Sequence, residues 1–428
     1  MAGFLNLQFG FKIGYLQPLE LSLPFNYMQP HMIADRINNI APSQTMKISA
    51  RAKELQQEGR SVVTLSQGEP DFKTPDYICE AAIDAIRQGH HGYTVNPGNI
   101  ELRKLICKKL KDENGLDYTP KQIVVSNGAK QSIGFSILAT INPGDEVIIP
   151  APYWVSYPEM VKIAGGKPII VRTSVDREYK ITPEELREAL SPHTRMVIIC
   201  SPSNPTGSCY TKNELNELAK VLLEYPDVLV MSDEIYEYLT YEAGHTGIAE
   251  VSEELKQRTI LINGFSKGFA MTGWRLGYLA APEEIAAATA KFQSQETSGA
   301  SSISQKAGEA AYSNPRDEIT TMKKAFKKRR DFIVGELSAI QGVSCFSPAG
   351  AFYVFPDVSA YLNLKTPGGK TVATSTDLCL YLLEDHGVAL VPGDAFGEPN
   401  GLRISFAASD EMLRDGISRI KQGLAALS

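Results

Sequence analysis

The sequence predicts an α/β protein whose larger part is a mainly parallel, seven-stranded-type sheet sandwiched by helices. Short runs rich in Val and Ile alternate with helical patterns over residues 75–315, as is typical of parallel sheets covered on both faces. Helical patterns such as Pro183–Leu190 and Lys212–Leu223 lie between the runs. The candidate strands are Gln122–Ser126, Glu146–Pro150, Pro168–Arg172, Met196–Cys200, Val228–Ser232 and Thr259–Ile262.

The pattern changes after about residue 315, where strand candidates are fewer and helices longer. We expect residues 32–74 and 316–428 to form a smaller α+β domain, and residues 75–315 to form the larger, cofactor-binding one. We interpret residues 1–31 as a poorly ordered extension. Polar residues such as Asn6, Gln8 and Lys12 interrupt the apolar core that a secretory signal requires. No apolar run reaches the length of a membrane span, so no membrane partner is expected.

Composition favours a cytoplasmic protein that acts on small molecules. The 428 residues carry a net charge of −6, with 43% hydrophobic and 21% charged residues. This charge argues against a nucleic-acid partner, and we interpret the densest basic run, Lys323–Arg330, as a solvated helix face. The six cysteines are scattered without C-x-x-C spacing, as is typical of reduced thiols. No pair of histidines has zinc-ligand spacing, so no metal site is expected.

The segment 263–275 carries the most specific chemical signal. Lys267 follows the apolar run Thr259–Ile262, and burial there disfavours its charge and makes the amine nucleophilic. Arg275 offers a fixed cation that suits a phosphate. A reactive amine beside a phosphate anchor is what a pyridoxal phosphate enzyme needs, because the amine forms a Schiff base with the cofactor. The same segment contains G-x-S-x-G around Ser266, so an α/β-hydrolase with a serine nucleophile is the competing interpretation.

Five further residues lie in or just after apolar strand patterns, and together they suggest one site. Gly128 lies in a turn before a helix, where free amides bind phosphate, although an ordinary tight turn is the alternative. Asp233 ends a buried strand and requires a cation such as a protonated pyridine, or else caps a helix. Asn204, and Tyr236 beside Asp233, suit an aromatic hydroxyl. Arg403 suits a carboxylate, unless it is a surface arginine.

Taken together, these segments resemble the class I aminotransferases of the fold type I pyridoxal phosphate superfamily. The resemblance runs from about Arg36 to the C-terminus and is nearest to the bacterial and plant-plastid aspartate (and prephenate) aminotransferase subgroup. Six motifs occur in family order: Gly68–Phe72, Pro152–Pro158, Ser201–Gly207, Asp233–Tyr236, Lys267–Arg275 and Leu402–Ser405.

The resemblance implies a role for each matching residue. Lys267 would be the Schiff-base lysine and proton carrier, and Asp233 would hold the pyridinium. Asn204 and Tyr236 would bind the phenolic oxygen, and Trp154 would flank the ring and the substrate. The remaining cofactor contacts would come from Gly128, Ala129, Lys130, Ser266 and Arg275, and from Tyr93 of a second subunit. The substrate would be bound by Arg403, Asn204, Gly68 and Trp154, with Lys130, Ser43 and Thr45 for its distal carboxylate.

We therefore expect a homodimeric aspartate aminotransferase that moves the amino group of L-aspartate to 2-oxoglutarate by a ping-pong mechanism. Prephenate, aromatic and other amino donors remain open within the same family. Ala41 stands where relatives often carry a basic residue, which weakens a prephenate assignment, and Gly264 replaces a phosphate-binding serine found in many relatives. The alternatives from other classes are the hydrolase and a non-catalytic pyridoxal phosphate-binding regulatory module.

Overall fold

The computed structural model describes residues 32–41 and 44–428, and only the backbone of residues 44–46. The expected extension at residues 1–31 lies outside the described residues. Ser43 also lies outside them, and the side chain of Thr45 is not described.

The described residues form twelve strands in three sheets. The large sheet has seven strands in the order β2-β8-β7-β6-β5-β3-β4, and the small sheets have the orders β11-β12-β9 and β1-β10. The strands are β1 Val63–Thr64, β2 Ile123–Ser126, β3 Glu146–Ala151, β4 Lys167–Arg172, β5 Thr194–Cys200, β6 Leu229–Asp233, β7 Thr259–Gly264, β8 Gly277–Ala280, β9 Tyr353–Val354, β10 Val388–Ala389, β11 Val391–Pro392 and β12 Leu402–Ser405.

The large sheet is mainly parallel, as the sequence predicts. The pairs formed by β4, β3, β5, β6 and β7 are all parallel, and only β8 runs antiparallel, between β7 and β2. Every residue of β2, β6, β7 and β8 is buried, which is expected of strands covered on both faces. The α/β fold class is therefore confirmed.

Fourteen α-helices flank these sheets in the described residues. Both helices named in the sequence analysis are present, and the second, Lys212–Leu223, has the predicted bounds. The helices are α1 Asp35–Asn38, α2 Gln44–Gln57, α3 Asp76–Arg87, α4 Ile100–Asn114, α5 Ala129–Thr140, α6 Ser156–Ile163, α7 Pro183–Ala189, α8 Lys212–Leu223, α9 Glu253–Lys256, α10 Glu283–Glu296, α11 Ser302–Ser313, α12 Asp317–Ser338, α13 Ser375–His386 and α14 Asp410–Ala425.

The helices begin where their sequences favour a start. Thr211 caps α8 by accepting a hydrogen bond from the Glu214 amide, and Glu214 in turn accepts from the Thr211 amide. Leu215, Leu218 and Leu222 then form its buried face at helical spacing. Helices of this kind cover the sheet on both sides and leave the carboxyl ends of the parallel strands as the place where side chains converge.

A separate apolar core joins the two ends of the described chain. It contains residues of α2 and β1 together with residues of α12, α13 and α14. Phe352 and Phe406 are fully buried within it. The segment after β6 also contributes, through Tyr236, Leu239 and Tyr241. The residues that follow Asp233 therefore pack into the same apolar core as the segments that we expected to form the smaller domain.

Candidate active site

A cavity of about 760 Å³ opens at the carboxyl ends of β5, β6 and β7, beside the start of α5. Parallel sheets bind their ligands at this edge because the strand ends converge there with the helix N-termini. Eleven of the residues singled out from the sequence line this one cavity: Gly68, Ala129, Lys130, Trp154, Asn204, Asp233, Tyr236, Ser266, Lys267, Arg275 and Arg403.

Lys267 lies three residues beyond the last residue of β7 and points into the cavity. Its ammonium donates a hydrogen bond to the Gly68 carbonyl and lies 5.7 Å and 5.8 Å from the ring centroids of Tyr236 and Phe352. Burial lowers the pKa of Lys267 to about 8, with the positive charge of Arg403 acting in the same direction and Glu69 opposing. The amine is therefore closer to its nucleophilic form than an exposed lysine would be.

Asp233 is the last residue of β6 and only 4% exposed. Its carboxylate accepts a hydrogen bond from the Tyr157 hydroxyl at 2.6 Å and a longer one from the Ile235 amide at 3.3 Å. Burial raises the pKa of Asp233 to about 6, although the bond from Tyr157 acts against this. The carboxylate forms no ion pair with another described side chain and is held in one orientation, so a cation in the cavity would lower its pKa again.

Two tyrosines meet beside Lys267. The hydroxyls of Tyr236 and Tyr353 are 2.9 Å apart, and both side chains are almost fully buried. Burial raises the pKa of both phenols, so they remain neutral hydroxyl groups that can donate and accept hydrogen bonds. Tyr353 was not singled out from the sequence, because one Tyr in an apolar strand resembles ordinary core.

Arg403 is a buried guanidinium that forms no ion pair with a carboxylate of the described residues. It is 4% exposed, donates to the Asn204 side-chain oxygen at 3.0 Å and to the Ser66 carbonyl at 2.7 Å, and stacks 4.6 Å from the Tyr353 ring centroid. Its Nε has no hydrogen-bond partner among the described residues. A buried cation with a free donor is costly unless a ligand completes its environment. The geometry suits a carboxylate.

The turn before α5 and Arg275 form an anion cradle. Gly128 has φ +84°, and a Cβ built there would lie 2.4 Å from Arg275 Nη2. Arg275 is held by the carbonyls of Thr272 and Asn127, at 2.8 Å and 3.3 Å. The first amides of the twelve-residue helix α5 begin directly after Gly128. Amides at a helix start together with a fixed guanidinium are a phosphate-binding arrangement.

Lys130 is a second cation of the same cavity. Its ammonium lies 5.1 Å from the ring centroid of Trp154, which itself packs edge-on against Tyr157. Burial, and then the charge of Arg275, lower the pKa of Lys130. No described carboxylate forms an ion pair with it, so its charge is available to a ligand in the cavity.

Three singled-out residues are not part of this arrangement. Tyr93 is fully exposed and does not line the cavity of its own chain. Its proposed contribution to a second subunit stays a prediction. Ser43 and the side chain of Thr45 lie outside the described residues, as noted above.

The structure also brings in residues that sequence reasoning did not assign. Tyr157 binds Asp233, and Ser66 supplies a carbonyl to Arg403. Tyr157 lies in one of the six motifs, and its position one turn after Trp154 at the start of α6 was a usable signal. Ser66 contributes only backbone, so its side chain carried no information.

The serine-hydrolase interpretation of Ser266 fails on geometry. Residues 265–270 form turns and bends, whereas a nucleophile elbow leads directly into a helix. No histidine lines the cavity among the described residues, and His386 bonds instead to Tyr381. Ser266 therefore lacks the general base that a serine nucleophile requires.

A cluster of ionisable groups lies just beyond Asp233, outside the cavity. His245 Nε2 is 2.9 Å from a Glu234 carboxylate oxygen, and Glu250 accepts from the Gly247 amide at 2.9 Å. Burial opposes a charge on His245, yet Glu234 raises the pKa of His245 overall. Each of these groups already has a hydrogen-bond partner among the described residues, so we assign them no ligand.

Comparisons with known proteins agree with this geometry. The family profile for aminotransferase class I and II matches residues 60–420. A Petunia hybrida bifunctional aspartate aminotransferase and glutamate/aspartate-prephenate aminotransferase is 50% identical over 92% of this chain and 83% of its own. An aspartate/prephenate aminotransferase from Cereibacter sphaeroides is 46% identical over 92% of this chain and 99% of its own.

Solved structures show the same fold. The aspartate aminotransferase from Rhizobium meliloti superposes with a TM-score of 0.90 at 43% identity, covering 93% of this chain and all of that one. The Thermus thermophilus aspartate aminotransferase with maleate gives a TM-score of 0.86 at 38% identity, covering 92% of this chain and 99% of that one. The profile match over most of the chain, together with relatives of this identity and coverage, shows that this chain belongs to the class I and II aminotransferase family.

Proposed function

We propose that the protein is a pyridoxal phosphate-dependent aspartate aminotransferase that transfers the amino group of L-aspartate to 2-oxoglutarate. The observation that carries the proposal is the convergence of partly buried Lys267, buried Asp233 and buried Arg403 on one cavity. Lysine, carboxylate and guanidinium are the three groups that an aminotransferase needs for cofactor attachment, ring charge and substrate carboxylate.

The residues present fit pyridoxal phosphate. A phosphate suits the cradle of Gly128 and Arg275, where any larger residue at position 128 would collide with the guanidinium. A protonated ring nitrogen suits Asp233, which is buried and forms no ion pair with another described side chain. Lys267 would attach the cofactor, Asn204 and Tyr236 would bind its phenolic oxygen, and Trp154 would flank its ring. When bound, the cofactor supplies an electrophilic carbon and an electron-withdrawing ring.

Lys267 is placed to carry the proton of the reaction. An amine with a pKa near 8 is partly neutral close to neutral pH, so it can take a proton from the substrate's α-carbon and return it elsewhere. Tyr157 and Ile235 hold the Asp233 carboxylate in place during this exchange. Arg403 would fix the substrate's α-carboxylate, with help from Asn204 and Gly68.

Aspartate and 2-oxoglutarate are favoured because the cavity offers cations at two places. Arg403 accounts for one carboxylate, and Lys130 is available for the distal one. The relatives named above use aspartate, and the Thermus structure holds maleate, which is also a dicarboxylate. Both substrates would use the same two cations in turn, which supports ping-pong kinetics.

Prephenate is the second candidate donor, because the Petunia and Cereibacter relatives are named for it. Ala41 lines the cavity but contributes no charge there, so the basic residue of many relatives is missing. We therefore place prephenate after aspartate. Ala41→Lys is expected to raise activity toward prephenate if the position acts in this way.

We further propose a homodimer, a cytoplasmic location, and the two-domain division into 32–74 with 316–428 and 75–315. Exposed apolar side chains near Tyr93, namely Ile86, Val95 and Ile100, support a subunit interface. All six cysteines are free, which supports a reducing compartment. No helix in the described residues is long and apolar enough to cross a membrane.

Lys267→Ala tests the function directly. We expect purified wild-type protein to be yellow and to transaminate aspartate with 2-oxoglutarate, and the variant to lose turnover. Ser266→Ala serves as the matched comparison for the neighbouring hydroxyl, and should keep most of the activity. Turnover by Lys267→Ala near the wild-type rate would refute the assignment, and an inactive yellow wild-type protein would favour a regulatory module.

A further inference from the structure

Glu159 lies at the wall of the cavity and connects two distant parts of the chain. It belongs to α6, in the same turn as Tyr157, and its side chain is 19% exposed. One carboxylate oxygen accepts a hydrogen bond from the Ala41 amide at 3.0 Å, across 118 residues of sequence. The other accepts from the Lys162 ammonium at 2.9 Å. Nothing in the proposed reaction uses this carboxylate.

The segment that Glu159 binds has little else to hold it. Nine of residues 32–41 are exposed, and only Ile40 is partly buried. Helix α1, within this segment, has four residues and buries none of them. With so little apolar burial, a segment has a small free energy of local opening, and one polar contact then decides much of its position.

The same segment completes the cavity. Ile40 and Ala41 line it together with Lys130, Trp154 and Glu159. Lys130 and Trp154 form the side where the distal part of a substrate would lie. The hydrogen bond from the Ala41 amide to Glu159 therefore holds Ile40 and Ala41 in the cavity wall, on the side of Lys130 and Trp154.

We propose that Glu159 is a positioning residue for substrate specificity, which sets the wall formed by Ile40 and Ala41 through its bond to the Ala41 amide. The Glu159 side chain is long enough to bring an acceptor oxygen to the Ala41 amide. The ammonium of Lys162 balances the charge of the Glu159 carboxylate, which therefore repels an acidic substrate less than a free carboxylate would. The role in specificity rests on the proposed function, whereas the positioning does not.

The experiment compares Glu159→Ala, Glu159→Gln and Lys162→Ala in the full-length protein. Amide hydrogen exchange of peptides covering residues 32–41 reports the contact without any need for activity. Loss of the carboxylate should speed this exchange about tenfold. This factor corresponds to the low end of the stabilisation that a hydrogen bond to a charged group provides. Glutamine retains an acceptor oxygen, so its exchange should stay close to that of the wild type.

Kinetics give the second readout. Glu159→Ala should raise KM for aspartate several-fold with a smaller change in kcat, because the reacting groups stay in place while the wall is lost. Lys162→Ala keeps the acceptor and should leave exchange near the wild-type value, while KM for aspartate should rise modestly because the Glu159 charge is no longer balanced. Unchanged exchange at residues 32–41 in Glu159→Ala would overturn the positioning role, and a fall in kcat at constant KM would overturn the role in specificity. Absence of transamination in all proteins would instead count against the proposed function.

Discussion

At the scale of single residues, the cavity is notable for cations that form no ion pair with a described carboxylate. Lys130, Lys267, Arg275 and Arg403 all line it, and no described carboxylate forms an ion pair with Arg403 or Lys130. Arg403 is buried and Lys267 is partly buried, and removing an unpaired cation from water costs free energy unless an anion joins it. The protein alone therefore carries an electrostatic cost that binding of phosphate and dicarboxylate would relieve, which ties ligand affinity to the same residues that direct the chemistry.

Lys267 should reveal this cost in the cofactor-free protein. Its pKa is lowered from 10.5 to about 8, so between these values the unfolded chain binds more protons than the folded one. The contribution of Lys267 to the free energy of unfolding therefore rises with pH from about 8 to about 10.5, and its cost is fully present below pH 8. The shift corresponds to roughly 3 kcal/mol, as an order of magnitude.

Lys267→Met removes the charge while keeping an apolar side chain of similar length. We expect the cofactor-free variant to be more stable than the wild type at pH 7, with the difference shrinking towards pH 10. Urea unfolding of both proteins at the two pH values measures this. A stability difference that does not change with pH would show that Lys267 is not desolvated as the structure indicates.

Lys130 should set the preference for acidic substrates. It has no described ion-pair partner, so a distal carboxylate would be its natural contact, worth about 1.5–3 kcal/mol as a charged hydrogen bond. Lys130→Ala should lower kcat/KM for aspartate and glutamate roughly ten- to a hundredfold, and far less for alanine or phenylalanine. Steady-state kinetics with the four donors decide the question. An equal loss for all donors would assign Lys130 to the phosphate only.

At the scale of elements, the site depends on close approaches between strand ends. Gly277 at the start of β8 faces the turn before α5, and a Cβ there would lie 2.3 Å from the Ala129 amide nitrogen. Gly264 at the end of β7 pairs with Gly277, and its own Cβ would lie 2.7 Å from the Gly277 Cα. A serine at position 264 would have no room without movement of β8.

Gly128→Ala tests the cradle as an element. The backbone at this position has φ +84°, which an alanine rarely adopts, and the new methyl group would displace Arg275. We expect cofactor affinity to fall by at least tenfold while the fold is retained, since the turn lies at the surface of the cavity. Titration of the cofactor-free variant with pyridoxal phosphate, followed by absorbance, measures the change. Gly273→Ala is the control because a Cβ there meets no atom within 4 Å; equal affinities in all three proteins would refute the cradle.

The sequence predicts this site better than it predicts the elements that connect it. Buried β-branched runs predicted six strands of the large sheet, and the residues just after them identified Asp233, Lys267 and Asn204. Strand β8 was missed because Gly277–Ala280 is short, lacks β-branched residues and is defined by its antiparallel partners. Strand β9 is limited to Tyr353–Val354, because only those residues pair with β12. Contacts between distant residues, such as Tyr157 with Asp233, leave no local pattern.

At the scale of the whole molecule, the site draws on both ends of the described chain. Arg403 and Tyr353 come from the C-terminal part, Gly68 from the N-terminal part, and Asp233 and Lys267 from the central sheet. The bond from Arg403 to Asn204 crosses between these parts at the substrate position. Movement of the proposed smaller domain would therefore change the substrate site directly, whereas the phosphate cradle lies within residues 75–315 and would be unaffected.

The proposed homodimer can be tested through Tyr93. If Tyr93 completes the site of the other subunit, Lys267→Ala and Tyr93→Ala chains should complement each other. In a mixed dimer, the Tyr93→Ala chain supplies Lys267 and receives Tyr93 from its Lys267→Ala partner, which restores one of the two sites. A mixed dimer has one working site of two, so the purified mixed dimer should show about half of the wild-type activity.

The measurement uses two differently tagged chains, co-expressed and purified as the mixed dimer. Each variant alone must first be shown to be strongly impaired, and a mixture of Lys267→Ala with Asp233→Ala is the control, since both changes disable the site of their own chain. Recovery in the first mixture and none in the control would place Tyr93 across the interface. Equal failure of both mixtures would mean that the exposed Tyr93 acts, if at all, only within its own chain.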